Sequence, residues 1–270
     1  MIRRIVLLDT NIELVECWKR SLGDLKCVKI STDTLDSIDL SSMGVSETKK
    51  AAIVSPGNSF GWLGGGFDLA LKVFFGGPQF ESFFRHQLRM GSSAGYKPVQ
   101  TTTVVELGTE WSRNGISRVI HAPTMVAPSR KIYDATRPVE TGYSLVFNTL
   151  WNVFLHAPQD THVLVVPGLA TGYAGVPVEV CSKAMALAIR LFLASEAMSQ
   201  ELKNVVIMQF LGYRYDAFVF DGCAKECEEL GINFSQLLAY DARTDPISHL
   251  LPHLPATSPN AQVSATRLPE

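Results

Sequence analysis

The chain has 270 residues, 46% of them hydrophobic and 19% charged, with a formal net charge of −2. These values describe an ordinary globular core rather than a disordered chain, and the slight acidity gives no support for a general grip on nucleic acid. No apolar run approaches the ~20 residues of a membrane span.

The amino terminus, MIRRIVLLDTN, carries a short apolar run that Asp9 and Asn11 end too early for a signal peptide. It reads as a first buried strand over 5–8, followed by a helix over 13–22. Further strands are predicted at 25–30, 51–54, 101–107, 118–122, 163–166 and 205–210. Helices are predicted at 67–75, 78–90, 142–155, 177–198 and 215–230. In the helix at 177–198, Pro177 sits where a first helical residue belongs, and Val180, Ala184, Leu187, Ala188 and Leu191 make an apolar stripe. Continuous apolar strands alternating with helices imply a mainly parallel mixed sheet covered on both faces, a three-layer α/β/α sandwich. Ligands of such sheets bind beyond the carboxyl ends of the strands.

A single domain is expected over 1–240. From Asp241 the chain becomes rich in Pro, Ser, Thr and Ala, so 241–270 is expected to be a mostly disordered tail with a short apolar contact around 247–254. Five scattered cysteines suit free thiols in a reducing compartment, cytoplasmic or nuclear. Cys223 and Cys227 share an i, i+4 spacing, as do His249 and His253, but nothing completes a ligand set and Pro252 interrupts the second pair. No metal and no cofactor is expected, and a monomer is favoured.

Two glycine-rich turns, each leaving an apolar strand and entering a helix, carry most of the functional information: AAIVSPGNSFGWLGGGFDLALK over 51–72 and VLVVPGLATGYAGVPVEV over 163–180. A strand that breaks into glycines and restarts as a helix presents free backbone N–H groups at a helix amino terminus, a geometry that binds anions. Neither turn is a Walker loop, because Gly66 is followed by Phe67 rather than Lys, and G-x-G-x-x-G occurs nowhere.

The wording of these turns resembles the macrodomain, an ADP-ribose-binding module. Its first signature, roughly I-V-N-A-A-N-S followed by G-G-G, an apolar residue and Asp, is matched by Ile53-Val54-Ser55-Pro56-Gly57-Asn58-Ser59 and Gly64-Gly65-Gly66-Phe67-Asp68. Its second, P-x-I-S-T-G-x-x-G-x-P, is matched by Pro167 through Pro177, and its V-I-H-A by Val119-Ile120-His121-Ala122. A last strand ending in an aromatic, with two more aromatics beyond, is matched by Phe210, Tyr215 and Phe218.

The resemblance implies a role for each residue. Asp33, at the end of an early strand, would accept hydrogen bonds from the adenine amino group, unless it caps a turn; Asp9 is the weaker substitute. Phe210, or else Tyr213, would stack on the adenine. Asn58 would hydrogen-bond the distal ribose, or serve as a turn residue. Gly64, Gly65, Gly66 and Phe67 would let backbone approach the ribose and phosphates, and Thr171, Gly172, Tyr173, Ala174 and Gly175 would wrap the diphosphate from the other side.

Asp68 would orient water near the anomeric carbon. Lys72, matching the catalytic Lys of another macrodomain class, would attack that carbon if burial lowers its pKa; the plainer reading is an exposed Asp68–Lys72 ion pair. Ala174 departs from the pattern, standing where one class has an aromatic and the other an acidic partner for its Lys. Ala170 replaces the usual Ser, Ser55 replaces the first Asn as a structural change, and His121 reads as a buried, satisfied histidine.

The implied function is binding of ADP-ribose and hydrolysis of an ADP-ribose derivative at the distal ribose, either ADP-ribose 1″-phosphate or an ADP-ribosylated macromolecule. The alternative is a non-catalytic ADP-ribose reader, which Ala174 favours; a third is reuse of the fold for another nucleotide or an RNA end. Nucleic acid enters as a partner only if ADP-ribosylated, and no membrane partner is expected.

Overall fold

The computed structural model describes residues 1–252 except 39, 41, 42, 47, 91–94, 195 and 196. Strands β1 (Arg4–Leu8), β2 (Val28–Ser31), β3 (Lys50–Ser55), β4 (Thr103–Glu106), β5 (Ile116–His121) and β6 (Thr161–Val166) form one sheet in the spatial order β2-β1-β6-β3-β5-β4. Every pairing is parallel except the antiparallel edge β4–β5. The strands read as unbroken apolar runs because both faces are buried. Ile5, Leu7, Ala52, Val54, Leu164 and Val166 face one core, where α1 (Ile12–Leu22), α5 (Ser144–His156) and α6 (Val178–Leu193) pack. Their chain neighbours Val6, Leu8, Ala51, Ile53, Val163 and Val165 face the other, beneath α2 (Gly66–Phe75) and α3 (Pro78–Met90), and a single turn, α4 (Gly108–Trp111), lies between β4 and β5. The result is the three-layer α/β/α sandwich that the alternation predicts.

The predicted strand at 205–210 is instead the second half of a helix, α7 (Gln200–Phe210). Ser199 caps it, its hydroxyl accepting from the Leu202 N–H, while the Glu226 carboxylate holds the Ser199 N–H and hydroxyl. Leu202, Val205, Val206, Gln209 and Phe210 are buried at helical spacing. The predicted helix over 215–230 shrinks to a 3-10 turn at Asp216–Phe218 and α8 (Cys223–Glu229), with Gly222 between them.

Folded structure continues past the expected boundary at 240. Tyr240, Ala242 and Leu250 are buried, and the Lys183 ammonium of α6 donates to the carbonyls of Ala242 and Asp245. A 3-10 turn at Ile247–Leu250 supplies the apolar contact. His253, Leu254 and the rest of the expected tail lie outside the described residues. All five cysteines are free thiols.

Candidate active site

The carboxyl ends of β2, β1, β6, β3 and β5 lie side by side, four strand spacings of about 4.8 Å, so the rim they form runs roughly 19 Å. The segments that follow these strands line one cleft of about 850 Å³. In rim order they supply Asp33 to Leu35, Asp9 to Asn11, Gly168 to Tyr173, Pro56 to Asp68, and Thr124 to Pro128. The two glycine turns therefore face each other across a single cavity. The Tyr173 ring spans the gap between them: a Cβ on Gly65 would stand 3.1 Å from its Cε2.

Asp68 is the buried charge-bearing group of the cleft. It lies in the first turn of α2, 6% exposed, and its Oδ1 accepts from the Ser55 hydroxyl at 2.9 Å. Burial pushes its carboxyl up to about 7; the Ser55 hydrogen bond pulls the other way with less effect. A Cβ on Gly57 would meet Asp68 Oδ2 at 1.8 Å, so the glycine at 57 makes room for this carboxylate. The Ser55 hydroxyl also stands 3.5 Å from Nδ1 of His121, which burial holds neutral by depressing its pKa to about 4. Ser55 is thus more than a structural replacement: it positions the carboxyl that the cleft surrounds.

Asn58 reaches the cleft, but its amide is largely engaged in shaping the loop. Oδ1 accepts from the backbone N–H groups of Phe60 and Trp62, and Nδ2 donates to the Trp62 carbonyl at 2.7 Å. One amide hydrogen remains for a ligand. Gly64, Gly65, Gly66 and Phe67 line the cavity at the amino terminus of α2, as do Thr171, Gly172 and Tyr173 opposite. Ala170 sits in the left-handed region at φ 61°, a strained conformation for a residue with a Cβ, and is held there by the Val176 N–H donating to its carbonyl.

Four sequence expectations are corrected. Phe210 is fully buried, packed against Tyr143, Phe147 and Tyr240 in the helical core, and cannot stack on a ligand. Lys72 points away from the cleft into an ion pair with Glu81 at 2.6 Å; neither the nucleophile nor the Asp68–Lys72 pair forms. Burial raises the Glu81 carboxyl, but the Lys72 ammonium and the Leu63 N–H outweigh it and leave its pKa below the usual range. Ala174 is buried, with its carbonyl accepting from Ile132 and Tyr133, and does not line the cavity. Gly175 serves the turn behind it, donating to the Gly172 carbonyl.

At the opposite end, Asp33 lines the cleft beside Thr34 and Leu35, with the Ser31 hydroxyl donating to it. Asp9 has a different task from the one expected. Its Oδ1 accepts from the Asn11 N–H and its Oδ2 from the Gly168 N–H at 3.0 Å, so it ties the β1 loop to the β6 loop. A Cβ on Gly168 would stand 2.4 Å from Leu14 and 2.8 Å from Asp9 Oδ2. Phe60 and Trp62, which sequence reasoning passed over, line the end away from Asp33. Both rings stand exposed on the glycine loop.

The sequence pattern of the macro-like domain family matches residues 2–257. An uncharacterized protein of Aquifex aeolicus is 29% identical over 153 residues, 55% of this chain and 78% of its own length. Among solved structures, the Oceanobacillus iheyensis macrodomain with ADP aligns with a TM-score of 0.41 at 19% identity, covering 54% of this chain and 70% of that one. The macrodomain of Mycobacterium tuberculosis DarG aligns with a TM-score of 0.39 at 17% identity, covering 54% and 84%.

Proposed function

Because the chain belongs to the macro-like domain family, we propose that its cleft binds ADP-ribose and hydrolyses an ADP-ribose derivative at the distal ribose. One observation carries this reading: two glycine turns converge across one cleft that has a carboxylate at each end, Asp33 exposed and Asp68 buried. An extended ligand with an adenine at one end, a diphosphate in the middle and a reactive sugar at the other suits that order. Asp33 accepts from the adenine amino group, with Leu8 and Leu35 against the base and Phe210 taking no part. The N–H groups at the start of α2 and of the loop after β6 hold the diphosphate. The remaining Asn58 hydrogen and the glycine backbone fix the ribose.

Asp68 then acts on water. A carboxyl that titrates near 7 is divided between acid and base at neutral pH, the condition that suits general catalysis. Its carboxylate takes a proton from water, the water oxygen bonds to the anomeric carbon, and the bonding pair to the acceptor leaves with the acceptor, which Asp68 or solvent protonates. The retraction of Lys72 and Ala174 from the cleft favours a second reading, a reader that binds without turnover.

Calorimetric titration with ADP-ribose, with AMP as control, tests the reading. A roughly micromolar Kd that AMP does not approach is expected, followed by release of ADP-ribose from the 1″-phosphate or from an ADP-ribosylated macromolecule. Binding without turnover on either would leave the reader; equal affinity for AMP would remove the distal ribose from the account.

A further inference from the structure

Next to Asp68, two further polar side chains are shut into the core. Ser55 and His121 are both wholly buried, and neither lines the cleft. They are register partners on β3 and β5, so both point to the face covered by α2 and α3. Phe84 of α3 packs edge-on against the imidazole, centroids 5.6 Å apart, and Thr103 of β4 is its register partner on the other side. Ser55 Oγ stands between two groups, 2.9 Å from Asp68 Oδ1 and 3.5 Å from Nδ1 of His121. The longer contact is of a kind common in free enzymes, where such chains tighten only with substrate.

A hydroxyl has one proton and can donate to only one of these neighbours; the imidazole decides which. Burial keeps His121 neutral against the weaker pull of the Asn58 carbonyl, and Lys97 is the charged group that acts on it, in the same direction as burial. On α2 and α3, Lys72 and Glu81 pair with each other. A neutral imidazole carries a single N–H. Nε2 is buried without a hydrogen-bond partner among the described residues, and a buried N–H left without an acceptor is rarely tolerated. The proton therefore belongs on Nδ1, where Ser55 Oγ accepts it. With that donor at its back the hydroxyl turns to Asp68, and hydrogen bonds that run one way along a chain strengthen each other. Oδ1 of Asp68 is then occupied, while Oδ2 is the oxygen nearer Gly57, which lines the cleft. Resting on the reading of the cleft given above, we propose that His121 is a positioning residue: its Nδ1–H fixes the Ser55 hydroxyl on Asp68 Oδ1 and leaves Oδ2 as the oxygen that takes the proton from water. The N–H and O–H bonds of the chain stay intact throughout.

Long-range proton–nitrogen NMR of the full chain at neutral pH reads the imidazole directly, with His121→Asn identifying its signals. A protonated Nδ1 and a bare Nε2 are expected; a proton on Nε2 overturns the proposal. Carboxyl-carbon NMR of Asp68 tests the consequence. His121→Phe keeps a ring beside Phe84 but removes the donor, so Asp68 should titrate roughly half to one pH unit above its wild-type value of about 7. Loosened packing alone would admit water and move it the other way. His121→Asn, which keeps a side-chain N–H, should restore most of the shift, and on a Ser55→Ala background His121→Phe should shift nothing further. A downward shift in His121→Phe, or one that persists without the Ser55 hydroxyl, overturns the proposal. Neither measurement needs a ligand. Where an ADP-ribose derivative turns over, the acid limb of kcat should move with the carboxyl; NMR results as expected but no turnover would keep the hydrogen-bond chain and overturn the hydrolytic reading beneath it.

Discussion

Asp68→Asn is expected to lower turnover about 10²- to 10⁴-fold while making the protein more stable above neutral pH. The substitution keeps the shape and an oxygen for the Ser55 hydroxyl but removes a charge that the fold holds out of water. A carboxyl raised from 3.8 to about 7 contributes stability that is fully present below 3.8 and lost as pH rises through 7. At pH 8 the wild-type chain therefore carries a penalty of up to about 4 kcal/mol, less whatever the amino terminus of α2 returns, and the Asn variant does not. His121 works in the opposite sense. Its pKa falls from 6.5 to about 4, so its contribution is present above 6.5 and is lost as pH falls through 4. Between those values the two groups offset each other in the wild type, and Asp68→Asn exposes the histidine slope as a loss of stability on acidification. Urea unfolding over that pH range checks both signs. An Asn variant no more stable than wild type at alkaline pH would mean the carboxyl is not strained by burial, and one that turns over normally would remove Asp68 from the chemistry.

Truncation after Tyr240 is expected to destabilise the domain by at least about 3 kcal/mol, through the lost burial of Leu250 and Leu251 and the stranding of Lys183. Burial already pulls the pKa of Lys183 down, and the ammonium lies over the Tyr143 and Tyr240 rings with the Ala242 and Asp245 carbonyls as its acceptors. Removing those carbonyls takes both acceptors from an ammonium in a half-buried aromatic site. A fall of roughly 10 °C in Tm should follow. A truncated chain that melts with the full-length one would show that the segment after Tyr240 is an ornament to the fold.

Strand and helix periodicities carried the fold far because each element buries an apolar face, and burial leaves a readable period. β1, β3, β5 and β6 fall within a residue or two of their expected positions. The misreading of α7 came from reading Val205 through Phe210 as a continuous apolar run; the Ser199 cap and the buried i, i+3, i+4 spacing from Leu202 mark the helix. That error passed into the site, because the adenine-stacking role rested on Phe210 ending a strand. The glycine turns, Asp33, Asn58 and Asp68 were legible because special backbone needs leave special residues. Lys72 was not, since a helix places it on the same side as Asp68 only approximately, and Glu81 on the next helix decides which way its flexible stem turns. Ser55 was missed for a different reason: its importance lies in a contact made across the fold, to Asp68, which no local pattern announces.

The most direct test of the central claim is a crystal structure of the chain with ADP-ribose. The account predicts adenine at the end of the cleft lined by Asp33 and Leu35, the diphosphate between the two glycine turns, and the anomeric carbon of the distal ribose within reach of a water held by Asp68. A ligand bound in the reverse direction, with its ribose at Asp33, or one seated outside the cleft, would contradict it.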